Sequence, residues 1–380
     1  MKKRNNAFSP KDMPDAAGKR LKMKVRRILI VYWDGLGDVL VTIPFLGVLK
    51  KIFPRAEVTY VAGGKGGPET SGLELLKGSP YVTHLIRSSP SILARLVKQA
   101  PYDLSIDLCG NSTSKLITKI SGAGFFVRSR FRGIPYVFYY SPSAGIVEKV
   151  RFENNLYLAA GASRIRQLLE ISRVFGIKYP GFALPQIRLS QAERGFGKKY
   201  LRKLKGGNAG LSIIVHPGGR NPFRLWEIKN HVALCDKIIE KYQADVFIAY
   251  SEDERSFAEK IMRGSRNKLH SICIKPIRGY SSVISAGDLF ISTDGGPLQI
   301  ALALGVPCIG IFRRRLNAEY WYDYRSRNNL FACFVRQIRR SSAPKENIQR
   351  IMSESKKVIP REVDLVFEKV ARALKRKIRA

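Results

Sequence analysis

Acidic residues are scarce in this 380-residue chain: 30 Asp and Glu stand against 67 Lys and Arg, a formal charge of +37. Such an excess goes beyond what solubility asks and predicts an anionic partner, whether nucleic acid, an acidic membrane face or a phosphorylated substrate. Cysteine is sparse too. Cys109, Cys235, Cys273, Cys308 and Cys333 are odd in number and far apart, with no C-x-x-C among them, which argues against a disulfide scaffold and for a reducing compartment. Apolar runs such as Ile28 to Val31 and Val246 to Ala249 fall far short of the roughly 20 residues of a membrane-spanning helix. The N-terminus lacks the apolar core of a secretion signal, so the expected location is the cytoplasm. The four histidines, His84, His216, His231 and His270, are scattered without metal-ligand spacing. No G-x-x-x-x-G-K-[ST], no G-x-G-x-x-G after the first strand and no G-x-S-x-G is present, which argues against a P-loop NTPase, a standard dinucleotide enzyme and a serine hydrolase.

What is present is a strand-helix rhythm. Val25 to Val31 reads as a β-branched strand, Asp34 to Asp38 as a glycine turn, and Val39 to Ile52 as a helix; Val58 to Ala62 and Leu104 to Leu108 are further strands, with a helical pattern at Ser114 to Ile120. The rhythm weakens from Phe125 to Pro185 and restarts at Leu211. Strands are expected at Ser212–Val215, Asp245–Ala249, Leu289–Thr293 and Pro307–Phe312, and helices at Asn230–Tyr242, Glu252–Met262 and Pro297–Leu304. Alternation of this kind predicts parallel sheets covered on both faces. The fold class is therefore α/β, and the length suits two domains. The expected organisation is a basic arm over 1–24, domains over 25–185 and 186–358, and a basic amphipathic helix over 359–380. Ten Lys/Arg lie in residues 1–27 and six in Lys369 to Arg379, so both ends suit an anionic leaflet, although a solvated tail explains the N-terminal arm equally well.

Three strand ends carry residues with chemical potential. Asp294-Gly295-Gly296-Pro297 lies between a strand and a helix; it suits a diphosphate at the helix N-terminus, or else is a tight structural turn. His216-Pro217-Gly218-Gly219-Arg220 with Arg224 forms a second such loop, whose guanidinium groups suit phosphate oxygens or are surface charge. If both loops share one sheet edge, they form a cradle for a nucleoside diphosphate. In the first turn, Asp34 and Asp38 flank Gly35 and Gly37. One could cap the helix while the other acts as a general base, or both could simply complement the helix dipole.

Four segments in order resemble glycosyltransferase family 9, the ADP-heptose:lipopolysaccharide heptosyltransferases. They are Ile28 to Pro44 with Leu36-Gly37-Asp38-Val39, Tyr102 to Asn111, Ile214 to Gly218 with Trp226, and Asp288 to Pro297 continuing through Ala301 to Pro307. The resemblance implies a GT-B architecture, two Rossmann-like doubly wound domains facing a cleft, with acceptor on the first and nucleotide sugar on the second. It implies inverting transfer without a metal or other cofactor. Asp38 matches the catalytic aspartate. His216, Gly218, Gly219, Arg224, Asp294, Gly295, Gly296, Pro297 and Gln299 fall at donor-binding positions, and Asp34, Gly37, Asn111 and Lys115 on the acceptor side. The implied partners are ADP-heptose, a lipid A-core or other phosphorylated glycolipid acceptor, and an anionic membrane surface, with no nucleic acid. The enzyme would then be cytoplasmic, peripheral on the inner face of the membrane. The chain departs from the family pattern at Gly295 for Thr, Gln299 for His, Cys109 for Gln, and Arg313-Arg314-Arg315 after Phe312. Two other readings are a nucleic-acid-binding protein, suggested by the aromatics interleaved with Arg between Phe125 and Tyr140, and a GT-B glycolipid binder without catalysis.

Overall fold

The computed structural model describes residues 25–32, 35–62, 72–87, 101–129, 136–141, 145–151, 163–175, 183–207, 209–336 and 358–378. The arm expected over 1–24 lies outside them, as does Asp34. The chain divides into two compact units, Met1–Pro185 and Gln186–Ala380.

In the first unit β1 (Arg27–Val31), β2 (Glu57–Ala62), β3 (His84–Arg87), β4 (Leu104–Asp107), β5 (Phe125–Ser129), β6 (Tyr136–Ser141) and β7 (Gly145–Arg151) form one sheet in the order β3-β2-β1-β4-β5-β6-β7. The first five are parallel; β6 and β7 extend the edge as antiparallel strands. The described parts of the aromatic and basic stretch considered for nucleic acid are the strands β5 and β6, and Phe126 packs on the cluster of Leu29, Val31, Val61, Tyr102, Ile117 and Ala123. Helix α1 (Leu36–Ile52) is apolar on every side and buried from Val39 to Leu46, as a central helix should be. The remaining helices here are α2 (Gly72–Leu75), α3 (Ser112–Ile120) and α4 (Arg164–Glu170). After α4 a 3-10 turn brings Phe175 edge-on to Phe53, with ring centroids 5.4 Å apart.

The second unit opens with α5 (Gln191–Leu204) and then alternates: β8 (Ser212–His216), α6 (Ile228–Tyr242), β9 (Asp245–Ala249), α7 (Arg255–Gly264), β10 (His270–Ile272), α8 (Ile277–Ser285), β11 (Leu289–Thr293), α9 (Gly296–Ala303), β12 (Cys308–Phe312), α10 (Arg315–Tyr322), β13 (Leu330–Phe334) and α11 (Pro360–Ile378). The six strands are parallel in the order β10-β9-β8-β11-β12-β13. Val363, Val366, Val370, Ala373 and Leu374 of α11 join the core cluster of this unit with Trp226, Val232 and Ile238. The C-terminal helix, expected as a segment of its own, is therefore part of the second unit's core. Polar ties reinforce it: Trp226 Nε1 donates to Glu362 at 2.8 Å, and the Ile359 N–H donates to Asn230 Oδ1 at 2.7 Å.

The two sheets share a device at their centre. Asp103, just before β4, accepts the N–H groups of Arg26 and Arg27 at 2.7 and 2.8 Å, and Asp288, just before β11, accepts the Ser212 N–H at 2.7 Å. In each unit a carboxylate fixes the start of the first strand beside the fourth. Both sheets also run in the Rossmann order, which leaves a crevice at the carboxyl ends of the two central strands, where crossovers depart in opposite directions.

Close helix contact sets the outer layer of the second unit. A Cβ on Gly197 of α5 would lie 1.9 Å from the Ser282 carbonyl oxygen of α8. Gly197→Ala should thus lower stability by about 1–3 kcal/mol through overpacking; a urea melt that overlays the wild type would show that the helices separate freely. His231 on α6 is fully buried between Trp226 and Phe257, with no hydrogen-bond partner for either ring nitrogen among the described residues. Burial, with the His216 and Arg313 charges adding to it, pushes its pKa down from 6.5 to about 3. Between these values the unfolded chain holds the extra proton, so stability is full above pH 6.5 and falls as pH drops, by up to about 1.4 kcal/mol per unit. Melts from pH 7 to 5 should show this fall in the wild type and a shallower one in His231→Phe; identical slopes would exclude His231 as the source.

Candidate active site

β8 and β11 lie side by side, from Leu289 beside Ile213 to Ser292 beside His216. The two loops singled out in the sequence therefore leave the sheet together at the switch point, and they touch: Thr293 Oγ1 donates to the Gly218 carbonyl at 3.1 Å. Arg224 closes a short 3-10 turn, Pro222–Arg224, started by Asn221, whose side chain accepts the Phe223 N–H. Its Nη1 pairs with Asp294 Oδ2 at 3.2 Å while a third of the side chain stays exposed. A cation tethered by one nitrogen and open at the rest of its guanidinium is suited to phosphate oxygens.

Asp294 itself is 5% exposed and its carboxylate is spent on the protein. Oδ2 accepts from Asn317 Nδ2 at 2.7 Å as well as pairing with Arg224, and Oδ1 is 2.9 Å from the Tyr322 hydroxyl. Sequence reasoning placed Asp294 at the donor; the structure makes it the anchor of Arg224. The Tyr322 oxygen also accepts the Gly295 N–H at 2.9 Å. Because Pro297 has no N–H, the anion-facing start of α9 reduces to Gly296 and Leu298. Gly295 is fully extended at φ −173°, and the side chain of Gln299 is half-buried with no partner among the described residues.

His216 points inward. It is 4% exposed, with Nδ1 2.8 Å from the Tyr280 hydroxyl and Nε2 3.3 Å from Glu254 Oε2. Burial pushes the Tyr280 hydroxyl well above its usual pKa, so it stays protonated beside Nδ1. Burial alone would raise Glu254, but His216 together with the Ser251 N–H and hydroxyl outweighs it and holds the carboxyl at about 2. A Cβ on Gly218 would lie 2.4 Å from Glu254 Cδ, so this glycine makes room for the carboxylate. Glu254, Tyr280, Asn317 and Tyr322 were missed from the sequence. Ser251-x-x-Glu254 is a capping box, yet nothing in it signals the contact with His216.

In the first unit β1 and β4 form the corresponding switch point, Val31 beside Asp107. Asp38 sits in the first turn of α1, half-buried: Oδ2 accepts the Gly35 N–H at 3.1 Å and Oδ1 the Tyr32 hydroxyl at 3.3 Å. Arg164 Nη2 reaches the same hydroxyl at 3.0 Å. Asp38 thus accepts from the start of its own helix, while Asp34 lies outside the described residues. Gly37 lies in the same turn. Asn111 caps α3, accepting the Ser114 N–H at 2.8 Å, and Lys115 is exposed in the turn that follows. Asp107 Oδ1 accepts from the Cys109 and Gly110 N–H groups at 2.9 and 2.8 Å, shaping that loop. Among the described residues no group of three or more His, Cys, Asp or Glu is placed to hold a metal ion.

The model of glycosyltransferase family 9 (heptosyltransferase) matches residues 92–330. The chain belongs to this family. It is accordingly a glycosyltransferase with the family's GT-B architecture. The match takes in both donor-side loops, Asn111 and Lys115, and begins after Asp38. Lipopolysaccharide heptosyltransferase 3 of Escherichia coli is 18% identical over 294 residues, covering 73% of this chain and 80% of that protein. Among solved structures, a family 9 glycosyl transferase from Veillonella parvula aligns with TM-score 0.68 at 14% identity over 90% of this chain and 97% of its own. The ADP-heptose lipopolysaccharide heptosyltransferase II of Escherichia coli aligns with TM-score 0.68 at 15% identity over 92% and 99%. The Arg triplet after β12 begins with a structural residue: Arg313 is 6% exposed, donates to the Leu225 carbonyl at 2.6 Å and pairs with buried Glu227 at 3.0 Å.

Tyr322→Phe removes the hydroxyl that pins both Asp294 and the Gly295 N–H while keeping the edge-on contact with Phe312. It should cost about 1–3 kcal/mol and speed hydrogen exchange at Gly295. An unchanged exchange rate would show that the hydroxyl does not hold the turn.

Proposed function

We propose that this glycosyltransferase moves heptose from ADP-heptose to a lipopolysaccharide core or related phosphorylated glycolipid, with inversion and without a metal at the diphosphate. The observation that carries this reading is the Arg224–Asp294 pair at the β8/β11 switch point, where two glycine turns and the start of α9 converge. The donor is proposed from the relatives, one named as an ADP-heptose enzyme and another as a lipopolysaccharide heptosyltransferase.

In this mechanism the second unit takes the nucleotide sugar. The open guanidinium of Arg224 and the Gly296 and Leu298 N–H groups neutralise charge growing on the departing diphosphate, with Gly218, Gly219 and Pro297 shaping the approach and Gln299 turned to the sugar. Asp294, His216 and Glu254 hold those loops in place. The first unit takes the acceptor. Asp38 accepts the proton of the attacking hydroxyl as its oxygen bonds to the anomeric carbon and the carbon–phosphate oxygen bond breaks on the opposite face, a single displacement that inverts the centre. Gly37 and Asn111 border the acceptor, Asp34 is assigned to the acceptor by the family pattern alone, and exposed Lys115 suits an acceptor phosphate. The glycolipid acceptor and the +37 charge support a cytoplasmic enzyme held peripherally on an anionic membrane, with nucleic acid no part of its activity.

Asp38→Asn keeps an oxygen for the Gly35 N–H but cannot take a proton. It should bind ADP in EDTA as the wild type does, in preference to UDP, GDP, CDP and TDP, while turnover falls by about 100-fold or more. Persistent turnover would remove Asp38 as the base, and preference for another nucleotide would remove ADP-heptose as the donor.

A further inference from the structure

The outer face of α5, with the adjoining start of α8, is a surface with a chemistry of its own. α5 buries Gly197 and Leu201 and leaves Arg194, Lys198, Lys199, Arg202 and Lys203 exposed. At about 100° per residue, Lys199, Arg202 and Lys203 lie opposite the buried pair, and Phe196 lies on the flank that turns towards the start of α8. The acid of the helix does not offset them. Glu193 is clasped by Arg278 of α8 at 2.5 and 2.7 Å, and that contact outweighs burial and holds its carboxyl at about 2.

An apolar island sits inside this basic field. Phe196 is 47% exposed, and its ring converges with Ile274 and Pro276 on Gly279: a Cβ there would lie 3.1 Å from Ile274, 3.9 Å from Phe196 and 4.0 Å from Pro276. Lys275, between the last two loop residues, is exposed beside it. We infer that this face docks on an anionic phospholipid bilayer, with Phe196 at headgroup depth and the surrounding cations against lipid phosphates. The inference rests on the reading of a membrane-bound glycolipid acceptor and adds the surface that meets the membrane. A basic helix face with one apolar centre is the pattern of interfacial binding, in which buried apolar area and attraction to anionic lipid add together. A single-stranded nucleic acid would call instead for a groove with several stacking rings, and this face offers one exposed ring on the outside of a helix.

Cosedimentation of the full chain with phosphatidylcholine vesicles, with and without phosphatidylglycerol, tests it. The wild type should bind only the anionic vesicles. K199E/R202E/K203E should weaken that binding on the order of 100-fold, and F196S should weaken it with no change in charge. K241E/K260E/K268E, the same charge reversal on other exposed lysines, should bind as the wild type does. Thermal midpoints equal to wild type show that each variant is folded. Full vesicle binding by the α5 variant would overturn this surface while leaving the membrane reading standing. Wild type that ignores anionic vesicles would overturn both. Equal losses in the α5 and control variants would reduce the effect to net charge and overturn the assignment. Wild-type binding to duplex DNA as tight as to vesicles, lost in the same variant, would give the surface to nucleic acid instead.

Discussion

Parallel pairing of β8 with β11 is the contact on which the donor-side chemistry depends. The chain leaves β8 in one direction, builds β9 and β10, and returns to lay β11 on the other side. Right-handed crossovers then place the connecting helices on opposite faces, and the two strand ends between them stay uncovered. Only that adjacency lets the Thr293 hydroxyl reach the Gly218 carbonyl and Arg224 reach Asp294 across seventy residues of chain. β1 and β4 repeat the arrangement in the first unit, with Asp38 and Asn111 on the two loops that emerge there.

A protein with so few acids uses them in fixed places. Asp103 and Asp288 hold the central strands, Asp294 holds Arg224, Glu362 receives Trp226 and the Arg336 N–H, and buried Glu227 pairs with Arg313. Each accepts hydrogen bonds or pairs with a cation from a distant part of the chain, so the scarce carboxylates act as ties between elements. The excess cations are left on the outside, and α5 concentrates five of them on one exposed helix.

Much of the fold was legible because fully buried parallel strands write continuous apolar runs. Asp245–Ala249 and Leu289–Thr293 appear in the structure with the bounds read from the sequence, and α1, α6, α9 and α11 differ by a few residues at their ends. Short edge strands such as β10, three residues long, and the charged strand β7 carry no such run and were not read, while the aromatic run of β6 was considered as a stacking surface instead of a strand. α5 is mostly polar because a single narrow stripe packs on α8, so its apolar period is too thin to see.

By itself the sequence determined the alternating α/β pattern, the glycine turns at strand ends and the excess of positive charge, since each is a local property of neighbouring residues. Tertiary structure alone decided which of those turns meet, that Asp294 pairs with Arg224, that His216 meets Glu254, and that Arg313 is a core residue instead of surface charge. The physical reason is that a polar group's task is set by what surrounds it once water is gone, and those surroundings come from residues tens of positions away that strand pairing brings within hydrogen-bond distance.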